Sequence, residues 1–266
     1  MSVQRHNDGQ RDAATEALSS EDARVAKLQA ELEDLHARLR NEESRCAEEI
    51  RQFAYAVSHD LREPLRMVAS YTQLLDRRHN ADFDQDGREF LQFITDGVQR
   101  MDRLLSDLLA YSQLRPFDEP ASPVSAESVL DGVRLALDGP IQESGAQITH
   151  DPLPSVMFDF GRLTQVLRQL IANSIKFRGP DPPRIHISAT EADDHVTFAV
   201  RDNGVGIDPR YHQQIFGVFK RLHGREYPGT GIGLAISKRI VEQQGGTIWV
   251  ESETAQGATF RFTLPQ

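Results

Sequence analysis

Cysteine is almost missing from this sequence: its 266 residues include one, Cys46. No intrachain disulfide can form, and no cysteine-based metal cluster is available. Long apolar runs are missing too. None approaches the ~18–20 residues that a membrane span requires, which argues against membrane insertion. The first residues, MSVQRHNDGQRD, lack the apolar segment of a secretory signal. Positive charge is in deficit, with 30 Lys and Arg against 40 Asp and Glu, a net charge of −10. Such a balance argues against a general nucleic-acid or anionic-membrane binder. No GxxxxGK[ST] occurs, so P-loop nucleotide chemistry is excluded. What remains is a cytoplasmic protein of ordinary soluble composition, long enough for one large domain or two ordinary ones.

Residues 1–15 are polar and without periodicity, and a disordered leader is expected there. A heptad then starts, with Leu18, Val25, Leu32, Leu39, Cys46 and Phe53 at a, and Glu21, Leu28, Leu35, Glu42, Glu49 and Ala56 at d. The apolar run from Val25 to Leu39 predicts a short parallel coiled coil over 16–50, hence a homodimer. Helical spacing continues through Val57, Leu61, Leu65 and Val68, past Pro64, where a kink is expected. A second stripe, Phe90, Ile94, Val98, Met101, Leu105, Leu108 and Tyr111, completes a helical hairpin over 51–115. One hairpin leaves a bare face on each helix, and two hairpins cover both as a four-helix bundle.

Three prolines mark 116–125 as a linker. Beyond it the period changes. Helices are expected at 126–137, 160–177 and 232–244, and strands at 146–150, 155–158, 184–190, 195–201, 246–252 and 257–264. Residues 126–266 therefore read as an α/β sandwich of about 140 residues, an ordinary domain size. The whole is α + α/β.

Two motifs mislead. Asp159-Phe160-Gly161 is a DFG triplet without the other parts of a eukaryotic-type kinase, and Asp159 is better read as a helix cap. Asp82-x-Asp84-x-Asp86-Gly87 opens like a calcium loop, but its twelfth position is Phe93 instead of a bidentate glutamate, so a solvated turn is expected. The informative glycines lie in RDNGVGID, with Gly204 and Gly206, and in PGTGIGLAI, with Gly229, Gly231 and Gly233. Glycine lets backbone N–H groups approach phosphate, and the second cluster opens a helix, whose N-terminus favours anions. The clusters bracket a loop of roughly twenty residues, long enough to suggest a function. Asp202 ends an apolar strand and could accept a hydrogen bond from an amino group such as that of adenine, or make an ordinary Asx turn. Asn173 and Lys176, at i and i+3, share one helix face, where an amide oxygen can ligate Mg²⁺ and an ammonium can reach phosphate.

In order, SHDLREPL (58–65), LRQLIANSIKF (167–177), DNGVGID (202–208), IFGVFKRLH (215–223) and GTGIGLAI (229–236) resemble the H, N, G1, F and G2 boxes of sensor histidine kinases, with wording similar to the phytochrome-type branch. The resemblance covers about 50–266, and five ordered motifs are specific where each alone is not. It implies a phosphoacceptor hairpin forming a dimeric four-helix bundle, followed by a Bergerat-type (GHKL) ATP-binding domain. It implies that His59 accepts phosphate and that Asp60 orients or deprotonates the imidazole. Asn173 would ligate Mg²⁺, Lys176 contact phosphate and Asp202 read adenine. Gly204, Gly206, Gly229, Thr230, Gly231, Gly233 and Leu234 would form lid hinges and phosphate turns, and Phe216 and Phe219 the F-box aromatics. The cofactors implied are ATP and Mg²⁺, and the partner a separate response regulator receiver domain.

Helical arithmetic agrees at the phosphoacceptor. His59 falls roughly 170–190° from the centre of the apolar stripe, exposed on a bundle. Two positions depart from the family pattern: Gln169 replaces the usual asparagine four residues before Asn173, and Glu63 replaces the Thr, Asn or Gln of phosphatase-competent kinases four residues after His59. The competing readings are an ATP hydrolase of the gyrase–Hsp90–MutL type and a degenerate scaffold. The hydrolase needs a glutamate where Gln169 stands, and an amide is no general base. No sensor-like module fits into 1–50, so a sensor partner acting in trans is compatible with the chain.

Overall fold

A computed structural model describes residues 3–114, 122–222, 227 and 229–265. The chain forms two compact units, Met1–Tyr55 and Ala56–Gln266. Helix α1 runs Val3–His79. It begins inside the segment expected to be a disordered leader, where Ala13 and Ala14 are strong helix formers that apolar periodicity alone does not detect. In the first unit Leu32, Leu35 and Leu39 are exposed on a single chain. The side chains of Leu18, Glu21, Val25, Leu28 and Cys46 lie outside the described residues. Among the described residues no helix is long and apolar enough to cross a membrane.

The second unit opens with the rest of α1, which carries Pro64 without ending there, and α2 (Gln85–Ser112). A 3₁₀ turn at Asn80–Asp82 joins them. The calcium-like aspartates serve this turn. The Asp84 carboxylate caps α2 by accepting from Gly87 N–H (2.8 Å), and Asp82 meets His79 at 3.0 Å. Leu91, Val98, Leu105 and Ser112 are buried at seven-residue spacing on α2, while Phe90, Ile94 and Met101 of the expected stripe stay exposed.

Residues 116–121 of the expected linker lie outside the described residues. Its remainder is not linker: Ser122–Ser125 is strand β1, antiparallel to β3 (Ser155–Phe158), with Pro123 tolerated in this two-stranded pairing. Helix α3 (Ala126–Ala136) is followed by a short α4 (Asp138–Ser144), for which the sequence pattern gives no helix. Then come β2 (Gln147–His150), α5 (Phe160–Lys176), β4 (Arg184–Glu191), β5 (His195–Asp202), α6 (Gly233–Glu242), β6 (Ile248–Ser252) and β7 (Ala258–Pro265). The five-stranded sheet has the order β2-β4-β5-β7-β6, parallel only between β2 and β4.

Strand alternation sets the layers. In β7 Ala258, Phe260, Phe262 and Leu264 are buried and the residues between them partly exposed. Phe198 of β5 pairs with Phe262 in register, and their rings stack at 5.1 Å. The apolar face of α5, with Leu163, Val166, Leu167, Leu170 and Ile171, is fully buried in this core. Asp159 caps α5 by accepting from Arg162 N–H (2.8 Å), the role the DFG triplet was expected to play. Helix α5 packs between α3 and α6, and its C-terminal end meets the start of α6 and the end of β5.

Candidate active site

At this meeting point lies a cavity of about 430 Å³. Asn173, Lys176, Asp202, Gly206, Gly229, Thr230, Gly231, Gly233 and Leu234 line it, so three separate motifs of the sequence come together. Gly204 stands just behind, its N–H on the Asp202 carboxylate. His59, Asp60, Phe216 and Phe219 do not line it.

Asp202 ends β5 and is buried. Its Oδ1 accepts from the backbone N–H groups of Gly204 (2.9 Å) and Ala258 (3.0 Å), and its Oδ2 from the Ser174 hydroxyl (2.8 Å). The carboxylate is thus fixed, and Oδ2 keeps lone-pair capacity for a donor in the cavity. Ser174 was missed by sequence reasoning, although a hydroxyl on an otherwise apolar stripe of α5 was a usable signal.

The glycine turn after Asp202 is pinned to α5, with Val205 N–H donating to Phe177 O at 3.0 Å. Asn203 fixes its flank, accepting from Arg184 N–H (2.7 Å) and donating to Pro182 O (3.1 Å). Gly206 has φ +70°, and a Cβ there would come within 2.0 Å of Glu253 O, so only glycine makes this turn.

Asn173 Oδ1 accepts from Gln169 Nε2 at 3.2 Å, and the Gln169 amide lies so close to Gly233 that a Cβ there would overlap it at 2.1 Å. The Lys176 ammonium rests against Gly229, 4.1 Å from the centre of the Phe177 ring. Burial first, and then the charge of Arg221, lowers the Lys176 pKa below the ordinary lysine value. Phe177 in turn packs on Tyr227, centroids 4.9 Å apart. Arg168, Lys220 and Arg221 add positive charge to the walls. Arg103, Asp107 and Ala110 of α2 also line the cavity, which helical periodicity could not reveal because they sit on the polar side of the expected stripe.

Phe216 is buried edge-on against Phe260, at 6.4 Å. Phe219 is exposed and held at φ 59°, a left-handed backbone that a bulky side chain adopts only under constraint.

His59 lies on the exposed side of α1, its side chain 69% accessible. Its Nδ1 is 3.2 Å from Asp60 Oδ1, and no other hydrogen bond to the ring is found among the described residues. A carboxylate on Nδ1–H sets the tautomer that leaves the Nε2 lone pair free. Three residues on, Arg62 reaches across to α2, with Nε 3.3 Å from Asp102 Oδ1 and Nη2 donating to Ser106 Oγ at 3.3 Å.

A mixed sheet covered by helices, with a buried aspartate facing glycine turns across a cationic cavity, defines an ATP-binding module, here joined to a hairpin that displays a histidine. Comparison with known proteins agrees in both parts. Residues 158–266 match the histidine kinase-, DNA gyrase B- and HSP90-like ATPase family, and residues 49–116 the His Kinase A (phospho-acceptor) domain. Cyanobacterial phytochrome A of Nostoc sp. is 48% identical over 230 residues, 86% of this chain and 30% of that protein. The phytochrome-like protein Cph1 of Synechocystis sp. is 42% identical over 250 residues, 94% of this chain and 33% of that protein. This chain therefore spans about a third of the length of these relatives. Among solved structures, full-length ShkA in complex with AMPPNP is 28% identical with a TM-score of 0.61, covering 80% of this chain and 45% of that one. Histidine kinase ThkA in complex with response regulator protein TrrA, 20% identical with a TM-score of 0.58, covers 85% of this chain and 66% of that one, and shares the fold. The chain belongs to the sensor histidine kinases.

Proposed function

We propose that the protein is an ATP-dependent protein histidine kinase that phosphorylates itself on His59 and passes the phosphoryl group to an aspartate of a separate response regulator. The observation that carries this reading is the pairing of an exposed His59, its Nδ1 held by Asp60, with a cationic cavity built around a buried Asp202. In the cavity, Asp202 Oδ2 reads the adenine amino group and Lys176 receives phosphate charge, while the turns at Gly229 and Gly231 offer backbone N–H groups. His59 Nε2 attacks the γ-phosphorus, the bond to the bridging oxygen breaks, ADP leaves, and the proton on Nδ1 passes towards Asp60. Catalysis is then mostly positioning and charge neutralisation.

The donor set fits Mg²⁺ brought in by the nucleotide. Asn173 supplies one amide oxygen, and among the described residues no group of three or more His, Cys, Asp or Glu could hold a metal ion. Mg²⁺ commonly takes one or two protein ligands and completes its shell from substrate phosphates and water. When bound, it neutralises charge on the phosphates.

The working form is a homodimer, in the cytoplasm where ATP is supplied. Leu61, Met67, Val68, Tyr71, Leu74 and Leu75 of α1, and Phe90, Phe93, Ile94 and Met101 of α2, are exposed on one chain, far more apolar surface than scattered residues explain. We assign 16–50 to the coiled coil, 51–115 to the phosphoacceptor hairpin and 126–266 to the catalytic domain, the last now with β1 added at 122–125. Incubation with ATP radiolabelled on the γ-phosphate should label the wild type and leave His59→Gln unlabelled. Release of free phosphate without a labelled protein would mark a hydrolase instead.

A further inference from the structure

Arg103 and Asp107 of α2 stand one helical turn apart on the wall of the nucleotide cavity. The Asp107 carboxylate accepts a hydrogen bond from the Thr230 hydroxyl, a contact between the hairpin and the glycine turn that opens α6. Thr230 follows Gly229, against which the Lys176 ammonium rests, so this is the end of the cavity equipped for phosphate. Among the described residues lining the cavity, only Asp107 and Asp202 are carboxylates. Asp202 is committed to three protein donors. Among the described residues one neutral hydroxyl meets Asp107, which stands where an anionic ligand would add charge of the same sign.

The same stretch of α2 also touches the phosphoacceptor helix. Asp102 and Ser106 hold Arg62, three residues after His59. Residues 102–107 therefore join the His59 helix to the phosphate end of the cavity.

We propose that Asp107 is a charge gate on nucleotide binding: while α2 is seated on the cavity, its carboxylate holds the Thr230 hydroxyl and opposes the triphosphate. The proposal rests on the reading of the cavity as an ATP site. Its signature is a dependence on phosphate number. Adenosine carries no charge to repel, ADP carries some, and ATP carries the most. Because coupling is reciprocal, whatever the seated α2 costs ATP, bound ATP costs the seating of α2, and this would release the hairpin once the cavity is filled.

The test is calorimetric titration of adenosine, ADP and ATP, each with Mg²⁺, into the full chain as wild type, Asp107→Asn and Asp107→Ala. Asparagine keeps the shape and the acceptor for Thr230 and removes only the charge. ATP affinity should rise roughly tenfold in Asp107→Asn, ADP affinity by less, and adenosine affinity should not move. Asp107→Ala should show the same ordering. An ATP affinity that is unchanged, or that falls because Asp107 helps to hold the cation, overturns the gate alone. A wild type that binds none of the three overturns the reading of the cavity and the gate with it.

Discussion

Asp202→Asn is nearly isosteric and places its effect on one hydrogen bond. The two backbone donors, Gly204 N–H at 2.9 Å and Ala258 N–H at 3.0 Å, require an oxygen at the Oδ1 position. Turning the amide nitrogen towards them would set donor against donor twice, so the asparagine keeps its oxygen there and presents Nδ2 where Oδ2 stood. Ser174 can adapt, because its hydroxyl also reaches Leu170 O at 3.2 Å and can donate there while accepting from Nδ2. The local fold therefore survives. The cavity now shows a donor where it showed an acceptor. The adenine amino group loses a hydrogen bond to a charged acceptor, worth about 1.5–3 kcal/mol, and meets an opposed donor as well. A loss of about 3 kcal/mol corresponds to roughly a hundredfold weaker ATP binding. Guanine carries a carbonyl at that position and would accept from the new amide, so GTP should weaken little or gain. Competition of ATP and GTP against a fluorescent adenine nucleotide, on wild type and variant, measures the ratio directly. An ATP-to-GTP preference unchanged in a folded Asp202→Asn would refute the adenine assignment.

Three further outcomes are expected. Burial and Arg221 hold the Lys176 pKa below the ordinary lysine value. Its charge is therefore lost earlier as pH rises, so ATP affinity should decline at a lower alkaline pH than a solvent-exposed lysine would give, and Lys176→Arg should move that decline upward. The folded state binds this proton less tightly than the unfolded chain, so Lys176 costs stability at neutral pH and the cost fades as pH rises through its lowered pKa and on towards the unfolded value. A pH series of binding and of melting temperature checks both signs. Glu63, exposed at i+4 from His59, puts a carboxylate on the face that would meet a phosphorylated regulator. Like charges there cost on the order of 1–4 kcal/mol. The wild type should therefore show little phosphatase activity and Glu63→Gln should gain it, as read by loss of label from a phosphorylated receiver domain; rapid dephosphorylation by the wild type would contradict this. The heptad sets Cys46 at an a position, so mild oxidation should give a disulfide-linked dimer that Cys46→Ser does not form, and a monomer by light scattering at micromolar concentration would contradict the coiled coil.

Much of this was legible because the signals were local. The strands alternate at period two, and α5 carries five apolar residues on one face, so both were readable from spacing, as was the cap at Asp159. The glycine clusters are local as well, since a turn such as that at Gly206 tolerates no other residue. The misses share a cause. Strand β1 hides among prolines because its stability comes from pairing with β3, over thirty residues away in sequence. Asp107 reaches the cavity only through the placement of α2 beside α6, which no periodicity encodes. Phe216 and Phe219, which the resemblance matches to the F-box aromatics, do not line the cavity: one packs into the core and the other is exposed.

ATP held at Asp202 should phosphorylate His59. The transfer is read by mass spectrometry of the protein after incubation with ATP and Mg²⁺, digested under alkaline conditions that preserve phosphohistidine and fragmented by electron transfer. A phosphoryl increment is expected on the peptide containing His59, localised to that residue, absent from Asn173→Ala and absent without nucleotide. A phosphoryl group on any other residue, or ATP consumed with His59 unmodified, would contradict it.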